Sequence, residues 1–288
     1  MTAVSRLAPA KVNLFLHVGP PEANGFHPLA SLVAFADVGD HVTAEPAHRL
    51  SLTVAGPFAG SLQREDDNLV LRALRALGQA AGIGEPRLAV TLDKQLPIAA
   101  GLGGGSSDAG AALKLARDLL GLSLDDAALG QVAAVVGADG PMCLHARPAW
   151  ARGRGDQLVF EPALPALPCL LVNPGKPSPT AAVYRACDAG PPAVADMPPP
   201  PIDWSTSGVI AWLAGQRNDL EAPALGLQPA IGEALTAARD LPGARFARMS
   251  GSGATVFALF DTLEAAAEAG RHLRSQRPDW WVRETALA

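Results

Sequence analysis

The alternation in "KVNLFLHVG" places Val12, Leu14, Leu16 and Val18 on one face with a period of two, which predicts a half-buried strand ending at Gly19. Asn24-Gly25 marks a turn after it. "DHVTAEP" and "LSLTVAG" predict two further short strands. The period then changes: in "DNLVLRALRALGQAAGI", Leu69, Leu71, Leu74 and Leu77 form the apolar side of a helix with Asp67 or Asn68 near its cap. Leu88, Val90 and Leu92 alternate in "RLAVTLDKQLPI", a glycine run follows, and Ala109, Ala112, Leu113, Ala116, Leu119 and Leu120 then recur at helical spacing. The order here is strand, glycine loop, helix.

Further on, "SLDDAALGQVAAVV" predicts a helix that stops at Gly137, and the chain turns through "GADGPMCLHARPAWARGRGD". "PCLLVNPG" predicts a buried strand that opens a second half. "AGPPAVADMPPPPIDW" holds no regular element, because proline removes backbone donors and fixes φ, so it is expected as a surface loop. "ARFARMSGSGATVFALFD" predicts two short strands joined by a Gly-Ser-Gly turn, and "TLEAAAEAGRHLRSQ" an amphipathic helix. Strands and helices are mixed throughout, without repeats or heptads.

Composition narrows the function classes. A chain of 288 residues suggests one large domain or two modest ones, with two the better fit. With 23 Lys+Arg against 28 Asp+Glu, the formal charge of -5 supplies no basic field for a phosphate backbone and no polybasic membrane anchor. Nucleic acid and membrane are therefore not expected as partners. Cys143, Cys169 and Cys187 are odd in number and widely spaced, which indicates neither a disulfide framework nor a zinc site and fits a reducing cytoplasm. Lys11 interrupts any apolar N-terminal stretch, and no run approaches the roughly 18 apolar residues of a membrane span. A soluble, cytoplasmic protein is expected.

The stretch "LPIAAGLGGGSSDAG" raises the chemical question. Glycine lets backbone N–H groups approach an anion without a Cβ in the way, and the helix that follows adds its unpaired N–H groups and positive dipole end. Phosphate is the natural occupant. The hydroxyls of Ser106 and Ser107 have three uses open to them: capping the helix, binding a phosphate oxygen or reaching a magnesium ion. The run lacks the Gly-Lys-Ser/Thr ending of a Walker loop and the spacing of a dinucleotide fingerprint, with Asp118 near the expected acidic position but inside a helix. That disfavours a nicotinamide-dependent oxidoreductase.

Three other stretches accompany it: "LAPAKVNLFLHV", with Lys11 and Asn13 at the start of the first strand; "VGADGPMCL", with Asp139 just past a helix end; and "MSGSGATVFALF", a second small-residue turn. In this order the four resemble the motif set of the GHMP small-molecule kinases. Within that superfamily, "PAKVNLFLHV", "GFHPL" and "GLGGGSSDAG" resemble the members that phosphorylate a cytidyl-diphosphate-linked sugar alcohol. The resemblance is thin between about 185 and 245.

The resemblance implies an α/β (α+β) two-domain GHMP kinase fold, divided as 1–155 and 156–288, with the active site in the cleft between domains. It implies ATP and Mg2+ as cofactors, a small-molecule acceptor phosphorylated on its 2-hydroxyl, and a monomer or weak homodimer. Pro97, Ile98, Ala99, Ala100, Gly101, Leu102, Gly103, Gly104, Gly105, Ser106 and Ser107 would wrap the ATP phosphates, with Asn68 and Lys94 at the adenine side. Asp139 would take the hydroxyl proton while Lys11 holds that aspartate and the hydroxyl in place, and Asn13 and His27 match substrate-side positions. Phe26 stands where the family often has tyrosine, so a ring face survives and a hydroxyl does not. With Tyr184 it would close on the cytosine, one ring from each domain.

Each residue also has a plainer use. Lys11 at a strand start is ordinarily a solvated charge, Asp139-Gly140-Pro141 is a good turn sequence, and Asn68 is a natural helix cap. His27 fits a loop, and Ser250-Gly251-Ser252-Gly253 a hairpin connection. Other GHMP kinases, acting on mevalonate, homoserine or a sugar, would share the phosphate machinery without the pairing of Gly25-Phe26-His27 with Tyr184. A nucleotide sensor that has lost catalysis would lack Lys11 or Asp139, and both are present.

Overall fold

The computed structural model describes residues 3–23, 25–62 and 68–288. Asn24 of the expected turn, and Asp67 as an alternative cap, lie outside the described residues. In chain order the elements are β1 (Val4–Val18), β2 (Leu29–Pro46), β3 (Ser51–Ala55), α1 (Leu69–Ala80), β4 (Leu88–Asp93), α2 (Gly104–Leu120), α3 (Asp126–Ala134) and α4 (Gly140–His145). There follow β5 (Ala149–Arg152), β6 (Gln157–Phe160), β7 (Leu167–Asn173), α5 (Thr180–Asp188), α6 (Thr206–Ala214), α7 (Glu221–Leu227), α8 (Pro229–Arg239), β8 (Phe246–Met249), β9 (Val256–Leu259), α9 (Leu263–Gln276) and β10 (Trp281–Leu287). Among the described residues, no helix is long and apolar enough to cross a membrane.

The chain forms two compact units that interleave along the sequence. The first comprises Met1–Ala10, Val38–Leu96 and Gly103–Ala146; the second comprises Lys11–Asp37, Pro97–Leu102 and Arg147–Ala288. In the first unit β4 lies between β3, which it pairs in parallel, and the last part of β2, which it pairs antiparallel from His41↔Asp93 to Pro46↔Leu88. Val42, Val90 and Leu92 bury their side chains with Val70, Leu74 and Leu77 of α1 and Leu113, Leu115 and Ala116 of α2. Asn68 caps α1, its Oδ1 accepting from the Val70 N–H at 2.9 Å.

In the second unit β8, β9, β7 and β10 form consecutive antiparallel pairs. Leu170, Val172, Val256 and Ala258 bury against Ile231 and Leu235 of α8 and Ala266, Ala269 and Leu273 of α9. A hairpin of β5 and β6 pairs with the first part of β2 through Ser31↔Ala151 and Val33↔Ala149. The proline-rich segment has no helix or strand, as its composition requires, but it is tied down. Trp212 Nε1 donates to the Pro199 carbonyl at 2.9 Å, Arg217 donates to the Val194 carbonyl at 2.7 Å, and His17 Nδ1 lies 2.7 Å from the Asp196 carbonyl.

Two strands are longer than their alternation predicted. β1 begins at Val4, so Lys11 and Asn13 stand in the middle of a strand and not at its start. Ala8 and Ala10 are fully buried there, but small residues around Pro9 give no alternation to read. β2 runs for 18 residues, of which only its end was predicted. Its first part, Ala30–Ala36, is buried on both faces, so apolar residues follow one another without alternation, broken only by the buried Ser31.

Candidate active site

The glycine run makes its turns with residues in the left-handed region: Gly101 at φ 74° and Gly103 at φ 62° do so freely, and Ala99 at φ 52° does so against its side chain. A Cβ on Gly101 would lie 2.3 Å from the Ser250 carbonyl oxygen, so bare backbone is required for that approach as well. Gly103 occupies the N-cap of α2 and supplies no side-chain cap. The serine hydroxyls therefore do not cap the helix. Its first N–H groups keep their capacity for an outside acceptor, at the positive end of a 17-residue helix.

Ser106 Oγ donates instead to Asp139 Oδ1 at 2.8 Å. Close helix packing accounts for this. Gly110, four residues after Ser106 and thus on the same face, sits where a Cβ would lie 2.9 Å from Leu144 Cα, so α2 and α4 approach to backbone contact. Gly140 does the same at the other end of α4, since a Cβ there would lie 2.1 Å from the Ala133 carbonyl oxygen at the end of α3. Asp139 is the N-cap residue of α4, with Pro141 in the first turn, and its own side chain makes no capping bond. Its carboxylate is left for Ser106. The Ser107 hydroxyl is buried and has no hydrogen-bond partner among the described residues.

On β1, Lys11 Nζ donates to Asn13 Oδ1 at 2.6 Å, and Asn13 Nδ2 donates to Ser31 Oγ at 2.8 Å. Ser31 Oγ in turn donates to the Phe15 carbonyl at 2.5 Å. The lysine is thus oriented by a buried amide whose own flip state is fixed by the next hydroxyl. Ser250 holds the glycine run to this strand: its Oγ donates to the Gly101 carbonyl at 3.0 Å and accepts from the Asn13 N–H at 3.2 Å. The Gly-Ser-Gly turn is more than a hairpin connection, because the Thr255 N–H also donates to the Ala100 carbonyl at 3.0 Å. Asn218 Nδ2 fixes the turn from the other side through the carbonyls of Met249 and Gly251.

Lys94 is almost fully buried, at 3 % exposure. Its ammonium is shared between Asp40 Oδ2 and Asp108 Oδ2, the latter at 3.0 Å. Burial works against the lysine charge, yet Asp108 and Asp40 together outweigh it and its pKa lies above the ordinary value. Burial pushes the Asp108 carboxyl up to about 8, with Lys94 opposing and Asp40 adding to the rise. One ammonium cannot neutralise two buried carboxylates, and Asp108, whose Oδ1 has no partner among the described residues, keeps the extra proton. Both residues expected at the adenine side, Asn68 and Lys94, thus have their side-chain groups engaged within the first unit.

The aromatic pair expected around cytosine is arranged differently. Phe26 and Tyr184 both belong to the second unit. The ring against Tyr184 is that of His27, at 4.9 Å between centroids, with His27 Nδ1 against the Gly19 carbonyl at 2.9 Å and Nε2 3.4 Å from Asp188 Oδ1. Phe26 is half exposed, with the Arg154 guanidinium 4.9 Å from its ring centroid.

Ser31, Asn218, Ser250, Asp40 and Asp108 were not singled out as site residues. A lone buried serine or asparagine leaves no periodic signal. Asp108 lies within "GGGSSDAG" and Ser250 within "MSGSGATVFALF", the two motifs that carry a signal for them.

A glycine loop feeding a bare helix N-terminus, with a carboxylate beside that helix's first turn, defines a small-molecule phosphotransferase of the GHMP type. The family models agree: "GHMP kinases N terminal domain" matches residues 68–147 and "GHMP kinases C terminal" matches 210–279. The chain is 53% identical over 288 residues to 4-diphosphocytidyl-2-C-methyl-D-erythritol kinase of Caulobacter vibrioides, covering 99% of each, and 51% identical over 292 residues to the kinase of the same name of Methylobacterium radiotolerans, covering 100% of each. A crystal structure of 4-(cytidine 5'-diphospho)-2C-methyl-D-erythritol kinase superposes with a TM-score of 0.79 at 35% identity, covering 99% of both chains. The chain belongs to the 4-diphosphocytidyl-2-C-methyl-D-erythritol kinase family of GHMP kinases.

Proposed function

We propose that this chain transfers the γ-phosphoryl group of ATP to the 2-hydroxyl of 4-diphosphocytidyl-2-C-methyl-D-erythritol, giving the 2-phosphate, in the cytoplasmic non-mevalonate route to isoprenoid precursors. The observation that carries the proposal is the contact between Asp139 Oδ1 and Ser106 Oγ at 2.8 Å, which sets a proton acceptor beside the first turn of an uncapped helix. Whole-chain identity of 53% to a kinase of that name supports the choice of acceptor.

In this reading the N–H groups of the 97–107 loop receive the phosphates and Asp139 accepts the proton of the substrate hydroxyl. The hydroxyl oxygen bonds to the γ-phosphorus, the bond from that phosphorus to the β–γ bridging oxygen breaks, and ADP leaves with the electron pair. Lys11, oriented by Asn13, supplies positive charge to the oxygens of the transferring group. Phe26, His27 and Tyr184 serve the cytosine end, and Asn68 and Lys94 shape the nucleotide side through their bonds to Val70, Asp40 and Asp108.

Magnesium fits these residues. Among the described residues no group of three or more His, Cys, Asp or Glu is placed to hold a metal ion. Ser107, whose buried hydroxyl lacks a partner, and Ser106 are the groups that would hold it. When bound, the ion neutralises phosphate charge.

The test is to incubate purified protein with MgATP and the cytidyl compound and to detect the monophosphorylated product by mass spectrometry. Faster turnover of mevalonate or homoserine would reassign the acceptor.

A further inference from the structure

Three buried titratable groups, Asp40, Lys94 and Asp108, stand behind the glycine loop, and none is needed for the proton transfer. Asp40, on β2, is fully buried. Its Oδ1 accepts from the backbone N–H groups of Gln95 at 2.7 Å and Leu96 at 2.8 Å, the last residues before Pro97. Its Oδ2 takes the Lys94 ammonium, which reaches on to Asp108 Oδ2 at 3.0 Å, in the second turn of α2. Lys94 is itself anchored by its backbone, its N–H donating to the Ala55 carbonyl at 2.8 Å. The ammonium also lies close under the helix start: a Cβ on Gly104 would be 3.3 Å from Lys94 Nζ and 3.6 Å from Asp40 Oδ2.

We infer that Asp40 is a positioning residue for nucleotide binding: through its own bonds and through Lys94, it fixes both ends of the glycine loop, the strand exit at Gln95–Leu96 and the first turns of α2. The inference rests on the reading of that loop as the ATP phosphate site. A phosphate cradle works when its N–H groups are held in place before the ligand arrives, because the ordering cost is then met in folding and not in binding. The 97–107 loop has four glycines, at 101, 103, 104 and 105, and little stiffness of its own. A carboxylate is required at position 40, because all three of its partners are donors. An asparagine in either orientation would set an NH2 group against a donor.

Titration calorimetry on the full chain with a non-hydrolysable MgATP analogue, and separately with the cytidyl substrate, tests this. Asp40→Asn should weaken the analogue at least tenfold while the cytidyl substrate stays within threefold. Asp108→Ala, which cuts only the link to α2, should weaken the analogue at least fivefold. Combining Asp40→Asn with Lys94→Met should weaken it no more than threefold beyond the worse single variant, since the groups act as one unit. A folded Asp40→Asn protein that binds the analogue within twofold of the parent, or that loses both ligands equally, overturns the inference, as does multiplication of the two losses in the double variant. Should Asp40→Asn not fold, Asp108→Ala decides by the same criteria. Failure of the unmodified chain to bind the analogue would instead overturn the loop reading on which the inference rests.

Discussion

Ser106 Oγ donates to Asp139 Oδ1 across 2.8 Å, and the contact exists because Gly110 lets α2 and α4 meet at backbone distance. The hydroxyl orients the carboxylate at the point where the helix offers its unpaired N–H groups. On the proposed reading, base and phosphate cradle are built from one helix–helix contact.

Asp139→Asn keeps the shape and removes the proton acceptor. Its kcat should fall by about 10²–10⁴ while nucleotide affinity barely changes. Lys11→Met should also lower kcat strongly, and the double variant should cost less than the product of the singles if both residues serve the same transfer. Steady-state kinetics with calorimetric nucleotide binding gives all three values, and a near-normal kcat for Asp139→Asn removes it from the mechanism.

Gly110→Ala places a methyl group 2.9 Å from Leu144 Cα and forces α4 away from α2. Overpacking of this kind costs about 1–3 kcal/mol. Because the displaced element carries Asp139, kcat should fall together with the melting temperature. A variant that melts lower but keeps full kcat would separate the helix contact from catalysis.

The cytosine end gives a third test. Base–aromatic stacking is worth about 1–3 kcal/mol, so Phe26→Ala should raise the substrate KM roughly 5- to 150-fold, and Phe26→Tyr should be mild. Tyr184→Ala should raise KM as well and also lower the melting temperature, because that ring supports His27 and packs on the core of its unit. If both alanine variants keep a normal KM, the rings are packing and His27 becomes the residue to examine.

The raised pKa of Asp108 carries a pH signature. Between the ordinary value of 3.8 and about 8 the folded chain holds a proton that the unfolded chain releases. The stabilisation is complete below that window, declines as pH rises through it, and is lost above about 8. Lys94, raised above 10.5, keeps its own contribution throughout that range. Asp108→Asn should therefore flatten the fall in melting temperature from pH 5 to 9, and parallel curves for the two proteins would contradict the assignment.

Periodicity made much of this fold legible. The alternation at Leu88, Val90 and Leu92 and the helical recurrence after Ala109 located the strand, loop and helix that carry the site. It failed where burial is two-sided, as in the first part of β2, and where small residues and a proline occupy a strand, as around Pro9. The region from α5 to α8 gave no reading because its helices are short and its proline-rich approach breaks the pattern. Lys11, Asn13 and Asp139 were visible through motifs. Ser31, Asn218 and Asp40 were not, since a buried group that bonds to a distant backbone leaves no mark in local sequence.

The most direct measurement is a competition assay: equal concentrations of the cytidyl diphosphate sugar alcohol, mevalonate and homoserine with MgATP and the purified chain, products resolved by mass spectrometry. The account predicts a single phosphate added to the cytidyl compound, its position at the 2-hydroxyl established by phosphorus–proton coupling, and little product from the others. Preferential phosphorylation of mevalonate or homoserine, or no phosphoryl transfer by protein that binds both ATP and the cytidyl compound, would contradict it.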